Sequence, residues 1–133
     1  MFSVQHPIAA ASAIVSRGGE ILLVRRRVEP GVWMLPGGIV EYGERVEEAA
    51  RREVKEETNV DVAVKRLVGV YNLIRKKRGV HYVVICYDAK YTGGAIKASE
   101  EIEEAAWFKP DEIPRLHTLE ITVKALRDAG YIP

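Results

Sequence analysis

Three glutamates, Glu53, Glu56 and Glu57, stand at i, i+3 and i+4 in the stretch 45–58, which has neither proline nor glycine and is rich in Glu, Arg, Ala and Val. That composition favours a helix. Counting about 100° per residue from Val46, the apolar Ala49, Ala50 and Val54 fall near 300°, 40° and 80° and define the inward face. By the same count Glu53, Glu56 and Glu57 fall near about 340°, 280° and 20°, among the apolar residues rather than opposite them. Glu47, Glu48, Arg51 and Lys55 lie at roughly 100° to 200°, where Glu47/Arg51 and Glu48/Arg52 are spaced as i, i+4 pairs on a solvated side. Three carboxylates about 5 to 6 Å apart repel one another, and partial burial raises the cost. A hard divalent cation, which takes oxygen ligands from a few carboxylates, water and substrate phosphates, removes the conflict. Two readings of the helix stand at this point: half of a metal site, or a salt-bridged structural helix.

The elements around this helix follow from pattern and punctuation. Residues 9–16 read as a first strand, and Gly18-Gly19 as a tight turn into a second strand, 20–26, with the buried run Ile21 to Val24. Residues 28–42, rich in Gly and Pro, read as a long functional loop containing Trp33-Met34-Leu35-Pro36-Gly37-Gly38. Strand-like alternation returns over 60–73, followed by the basic loop 75–79, a central strand over 81–91, a turn at Thr92-Gly93-Gly94 and a short last strand over 105–108. From Thr118 on, Leu119, Thr122, Val123 and Leu126 form a helical stripe that ends at Gly130, a suitable C-terminal cap. A hairpin, a helix, strands and a terminal helix imply an α+β fold, a mixed sheet with helices on its faces.

The chain has 133 residues, which suits a single domain over 1–133 without linker or repeat. Its 20 basic and 19 acidic residues give a net charge of +1, so the overall field does not steer it to nucleic acid or to an anionic membrane. The start Met1-Phe2-Ser3-Val4-Gln5-His6-Pro7 has no basic, long apolar leader, and no run reaches membrane-spanning length, so a cytoplasmic protein is expected. The single cysteine, Cys86, lies in an apolar run and reads as a buried thiol rather than a nucleophile. His6, His81 and His117 are scattered and read as structural.

Loop and helix together run Gly38, five residues, Glu44, seven residues, then Arg52-Glu53-Val54-Lys55-Glu56-Glu57-Thr58-Asn59-Val60. This closely resembles the Nudix box: Gly, five residues, Glu, seven residues, Arg-Glu-aliphatic-x-Glu-Glu-x-Gly-aliphatic. Asn59 stands where the box has its final Gly, and Asn is the residue that best replaces Gly in a left-handed helix end. Leu22 to Arg26, Trp33 to Gly38 and Glu104 to Phe108 resemble the family's flanking strands and loop, so the likeness spans nearly the whole chain.

The resemblance implies an α/β/α sandwich and a Mg²⁺- or Mn²⁺-dependent hydrolase of a pyrophosphate bond, in which water attacks phosphorus. It implies metal ligation by Glu53, Glu56, Glu57 and the Gly38 backbone, with Arg52 paired to Glu44. The proton acceptor is Glu53 or a loop glutamate among Glu100, Glu101, Glu103 and Glu104; Glu101, six residues before Trp107, is favoured. Arg25, Arg26 and Arg27 could reach substrate phosphate with whichever side chains face the cleft, or stand as strand-end surface charges. Arg25, Arg27, Gly37, Gly38, Trp33 and Tyr82 are expected to bind substrate, and Arg75 to Arg78, which could contact phosphate or a terminal ribose, read as a solvated hairpin tip. The expected partner is a small nucleoside diphosphate compound, with no nucleic acid or membrane, and a homodimer is allowed.

ADP-ribose or a similar compound is the favoured substrate, because His81 to Tyr87, Gly93-Gly94 and the Glu-rich approach to Trp107-Phe108 resemble that branch of the family. Two departures stand against it: no extra N-terminal strands precede the domain, and Arg75-Lys76 stand where that branch has a proline. Hydrolysis of 8-oxo-dGTP or other nucleoside triphosphates is the alternative. A non-catalytic nucleotide-sugar sensor is disfavoured by the complete glutamate set, and an RNA-end hydrolase by the missing basic stripe.

Overall fold

The computed structural model describes residues 5–133, so part of the N-terminal segment read above for a leader, Met1 to Val4, lies outside the described residues. In chain order the elements are β1 (Ile8–Arg17), β2 (Glu20–Arg26), β3 (Trp33–Met34), β4 (Gly37–Ile39), α1 (Val46–Thr58), β5 (Asp61–Arg75), a 3-10 turn (Lys76–Arg78), β6 (Val80–Gly93), β7 (Ile102–Phe108), a second 3-10 turn (Pro110–Arg115) and α2 (Glu120–Asp128).

Gly18 and Gly19 take φ of 54° and 82°, the left-handed backbone that a two-residue hairpin needs. The hairpin they close is short: β1 and β2 pair only through Ser16↔Ile21 and Arg17↔Glu20, and then part. β4 takes over the free edge of β1, and β3 takes over that of β2. The segment 28–42 is therefore not a structureless loop. Its strands of two and three residues are too short to show an alternation in sequence, and it is the parting of β1 and β2 that gives them partners.

β6 runs parallel to β1 on its other side and pairs antiparallel with the edge strand β5, while β7 pairs antiparallel with β2. The result is a seven-stranded mixed sheet of order β3-β2-β1-β6-β5, with β4 on β1 and β7 on β2. Alternation along the strands divides their side chains between two cores. Ala11, Ala13, Val15 and Leu22 pack with Ala49, Ala50 and Val54 of α1. Ala10, Ile14, Ile21 and Leu23 pack with Ala125 and Leu126 of α2, together with Tyr71, Val84 and Cys86. Helices thus cover both faces of the sheet, in the α/β/α arrangement expected. No helix among the described residues is long and apolar enough to cross a membrane.

Several boundaries differ from the sequence expectation. β5 and β6 extend to Arg75 and from Val80, leaving only a 3-10 turn of the basic loop. β7 begins at Ile102, because the exposed Glu103 and Glu104 interrupt the apolar pattern without leaving the sheet. α2 begins at Glu120 and closes as expected: Gly130 has φ of 85°, and the Tyr131 N–H donates to the Leu126 carbonyl at 2.9 Å.

α1 ends at Asn59, the one non-glycine residue with positive φ among the described residues, at 67°. Its N–H donates to the Lys55 carbonyl at 2.9 Å and its side-chain amide to the Ala95 carbonyl at 3.1 Å. A β-branched residue here should cost about 1 to 2 kcal/mol. Urea unfolding should show Asn59→Val destabilised by that amount and Asn59→Gly close to the parent; a valine variant as stable as the parent would contradict this helix end.

Candidate active site

β4 is wedged between β1 and α1, which explains its two glycines. A Cβ on Gly37 would stand 2.8 Å from Ser12 Cα, and one on Gly38 would stand 2.5 Å from the Glu53 carboxyl carbon. A side chain at Gly37 would collide with the β1 backbone, and one at Gly38 would push the Glu53 carboxyl aside. From the other side, Glu53 and Glu57 of α1 reach toward it, one helical turn apart.

Glu57 is 3% exposed. Its Oε1 accepts the Gly37 N–H at 2.9 Å and its Oε2 accepts Arg26 Nη2 at 2.9 Å. Arg26 Nη2 also donates to the Gly37 carbonyl, while its Nε is buried without a partner. Burial pushes the Glu57 carboxyl up to about 7, outweighing the lowering by Arg26 and the Gly37 N–H, with Glu53 and Glu101 pushing the same way. Glu53 is raised by the same desolvation, against the pull of Arg52.

Arg52 ties the helix to the segment before it. Its Nε and Nη2 meet the two Glu44 oxygens at 2.6 and 3.0 Å, and Nη2 also donates to the Ile39 carbonyl at 3.1 Å. That fork holds the Glu44 carboxyl down to about 2. Its Nη1 reaches Glu53 at 2.7 Å and Glu56 at 3.1 Å. The expected Arg52–Glu44 pair is present, but the surface pairs differ: Glu48 pairs with Arg51 at i, i+3, and Glu47 lies 3.8 Å from Arg45.

Glu56 corrects the helical count. Its side chain is 58% exposed and turned to Arg52, not inward with Glu53 and Glu57. The buried residues Ala49, Ala50, Val54, Glu57 and Thr58 centre on the side of Glu57, so Glu56 falls at the margin of that arc, where no strand covers it.

The glycines and inward glutamates open onto a cleft of about 490 Å³. Gly37, Gly38, Glu53, Glu57 and Arg26 give it a polar wall, Glu101 joins them from the segment before β7, and Tyr71, Leu73, Tyr82, Val84, Leu119 and Ile121 give an apolar one. Of the four candidate loop glutamates, Glu101 alone lines the cleft, and its carboxylate makes no hydrogen bond or ion pair among the described residues. Glu103 and Glu104 face Arg25 instead, and the backbone carbonyl of Glu100 accepts from Arg27 Nε at 2.8 Å.

Tyr82, Gly37 and Gly38 line the cleft as expected, whereas Arg25, Arg27 and Trp33 do not. The Arg25 guanidinium lies over the Trp33 ring, 4.9 Å from its centre, and Trp33 meets Phe108 edge to face at 4.8 Å. The residue between the two expected arginines, Arg26, is the one that enters the site, since neighbours on a strand point to opposite sides. Three consecutive arginines were the available signal; only the strand's facing selects the middle one. Arg75 and Arg78 also line the cleft, and Arg75 pairs with Glu29, so the basic segment is not merely a solvated tip. None of the histidines lines the cleft, and burial pushes the Cys86 thiol there up to about 11, so it is not an activated thiolate.

Among the described residues no three His, Cys, Asp or Glu side chains already converge on a cation. The cleft instead offers Glu53, Glu57 and Glu101 beside close-lying glycine backbone, a partial set of hard oxygen donors. Such a set fits a Mg²⁺-like cation, which keeps water and shares itself with substrate phosphate.

Comparison with known proteins agrees with this geometry. A family model described as "NUDIX domain" matches residues 5–128. The chain is similar to an ADP-ribose pyrophosphatase of Methanocaldococcus jannaschii, at 40% identity over 84% of this chain and 67% of that protein. It is similar to the nucleoside triphosphatase NudI of Escherichia coli, at 30% identity over 90% of this chain and 94% of that protein. Among solved structures, a MutT NUDIX hydrolase from Burkholderia pseudomallei superimposes with a TM-score of 0.81 at 34% identity, covering 92% of this chain and 98% of that one.

The raised Glu57 carboxyl sets a pH dependence. Folding favours its protonated form, so this stability is complete below about 4.5 and is lost as pH rises through about 7. In metal-free protein, thermal unfolding should show Glu57→Gln gaining on the parent by on the order of a few kcal/mol between about pH 5 and pH 8. A difference that stays constant over that range would contradict the burial argument.

Proposed function

Because the chain belongs to the NUDIX family, we propose that it hydrolyses the pyrophosphate bond of a nucleoside diphosphate joined to another moiety, with ADP-ribose or a similar compound preferred. The observation that carries this reading is that Glu53, Glu57 and Glu101 line the same cleft as the Gly37-Gly38 strand, opposite an apolar wall. The carboxylates suit the phosphate end of such a substrate, and Tyr82 with Leu73 suits the base.

In this proposal Glu53, Glu57 and the Gly38 carbonyl would hold Mg²⁺ or Mn²⁺, and Glu56, exposed and paired with Arg52, would have to turn from that guanidinium to join them. When bound, the cation screens phosphate charge, lowers the pKa of water and steadies the leaving oxygen. Glu101, whose carboxylate has no hydrogen-bond partner among the described residues, takes the proton of the attacking water. The absence of a Cβ at Gly37 and Gly38 admits the phosphates close to the backbone. Arg52 acts at one remove, holding Glu53 and the 39–44 segment in register through its fork to Glu44. Water attacks one phosphorus, the bridging P–O bond breaks, and ADP-ribose yields AMP and ribose 5-phosphate.

Support for the substrate comes from the name of the archaeal relative, an ADP-ribose pyrophosphatase at 40% identity. The triphosphate reading is favoured by NudI, which this chain matches over 94% of that protein's length. We further propose a cytoplasmic enzyme acting on a free small molecule, without nucleic acid or membrane. A homodimer is compatible with the exposed Leu67, Val70 and Ile74 on the edge strand β5.

A substrate panel with Mg²⁺ and with Mn²⁺ tests the reading. ADP-ribose should give a higher kcat/KM than any triphosphate, and EDTA should abolish turnover of both. If 8-oxo-dGTP or dGTP wins by about tenfold, equivalent to about 1.4 kcal/mol, the substrate is a triphosphate and the rest of the proposal stands. Turnover that survives EDTA would remove the metal from it.

A further inference from the structure

Arg26 occupies an oxygen of the carboxylate that the proposed function assigns to a cation. Its Nη2 donates to Glu57 Oε2 at 2.9 Å and to the Gly37 carbonyl, and the Gly37 N–H takes Oε1 at 2.9 Å. Both carboxylate oxygens are therefore engaged. The Glu57 side chain is 4% exposed and that of Arg26 is 32% exposed, so the guanidinium sits on the open side of the pair, lining the cleft. A buried carboxylate needs a positive partner, and two cations on one poorly hydrated carboxylate repel each other strongly.

The free donors of Arg26 give a second observation. Nε is buried without a partner among the described residues, although it shares an edge of the guanidinium with Nη2. Once Nη2 leaves Glu57, that edge presents two parallel N–H groups, the fork that fits two oxygens of one phosphate. Among the described residues the only other bond holding Nη2 is to the neutral Gly37 carbonyl.

We propose that Arg26 is an exchangeable counter-ion. It neutralises Glu57 in the metal-free protein, yields that carboxylate to the entering divalent cation, and then turns its Nε–Nη2 edge to the substrate pyrophosphate. Glu57 thus has a cationic partner throughout, and the site gains a phosphate clamp only after the divalent cation has entered. This rests on the reading of Glu57 as a metal ligand, and it adds an order of events and a specific role for a residue outside the box.

The test is Mn²⁺ binding to substrate-free protein, followed by electron paramagnetic resonance, for the parent, Arg26→Gln, Arg26→Lys and Glu57→Gln, together with steady-state kinetics on ADP-ribose. Arg26→Gln should bind Mn²⁺ on the order of tenfold tighter than the parent, because the competing charge is gone. Arg26→Lys keeps that charge and should bind Mn²⁺ within about threefold of the parent, yet it lacks the fork and should raise KM about tenfold. Mn²⁺ binding by Arg26→Gln that is equal to or weaker than the parent's, alongside weakened binding by Glu57→Gln, would overturn the exchange and leave the ligand reading intact. Unchanged Mn²⁺ binding by Glu57→Gln would instead overturn the ligand reading. If Arg26→Gln does not fold, Arg26→Lys decides alone: a parental KM would remove the phosphate clamp.

Discussion

A carboxylate buried between a helix and a short strand organises this site. Glu57 joins α1 to β4 through the Gly37 N–H and to β2 through Arg26, so one side chain ties three separate elements together. Leaving such a group without its partners costs about 3 to 5 kcal/mol, which makes the arrangement of those elements close to obligatory. Even with both partners present, burial pushes the carboxyl up to about 7, so the desolvation of Glu57 outweighs what one guanidinium and one N–H return.

Space is set by what is missing. Gly37 and Gly38 bring backbone against Ser12 and the Glu53 carboxyl, where any side chain would have to displace one of them. Arg52 does the opposite work, filling the outer side of α1 and spanning Glu44, Glu53, Glu56 and the Ile39 carbonyl. Between the two, the Glu53 carboxylate is confined: its helix sets its height, β4 limits its approach, and Arg52 holds one oxygen. A catalytic or ligating group needs this confinement, since side-chain freedom would have to be lost again at each turnover.

The cleft divides the recognition problem by chemistry. Its acidic part is built from α1, β4 and the segment before β7, and its apolar part from β5, β6 and the approach to α2. The apolar part is thus drawn from elements outside the glutamate motif, and Arg75 and Glu29 are paired at the cleft wall beside it.

The local rules were legible in the sequence wherever a single stretch of chain carried them. The Gly18-Gly19 hairpin, the helix from Val46 to Thr58, its left-handed end at Asn59, the buried Cys86 and the Arg52–Glu44 pair at fixed spacing all depend on residues near one another or on a motif of fixed length. Tertiary structure alone decided which side chains share the cleft. The parting of β1 from β2 made strands of Trp33–Met34 and Gly37–Ile39, the facing of β2 selected Arg26 over Arg25 and Arg27, and the extent of strand cover on α1 left Glu56 in solvent while it enclosed Glu57. The approach to β7 brought Glu101, and not its acidic neighbours, to the site. Each of these outcomes depends on what lies across from a residue, and the order of residues along the chain does not contain that until the sheet has formed.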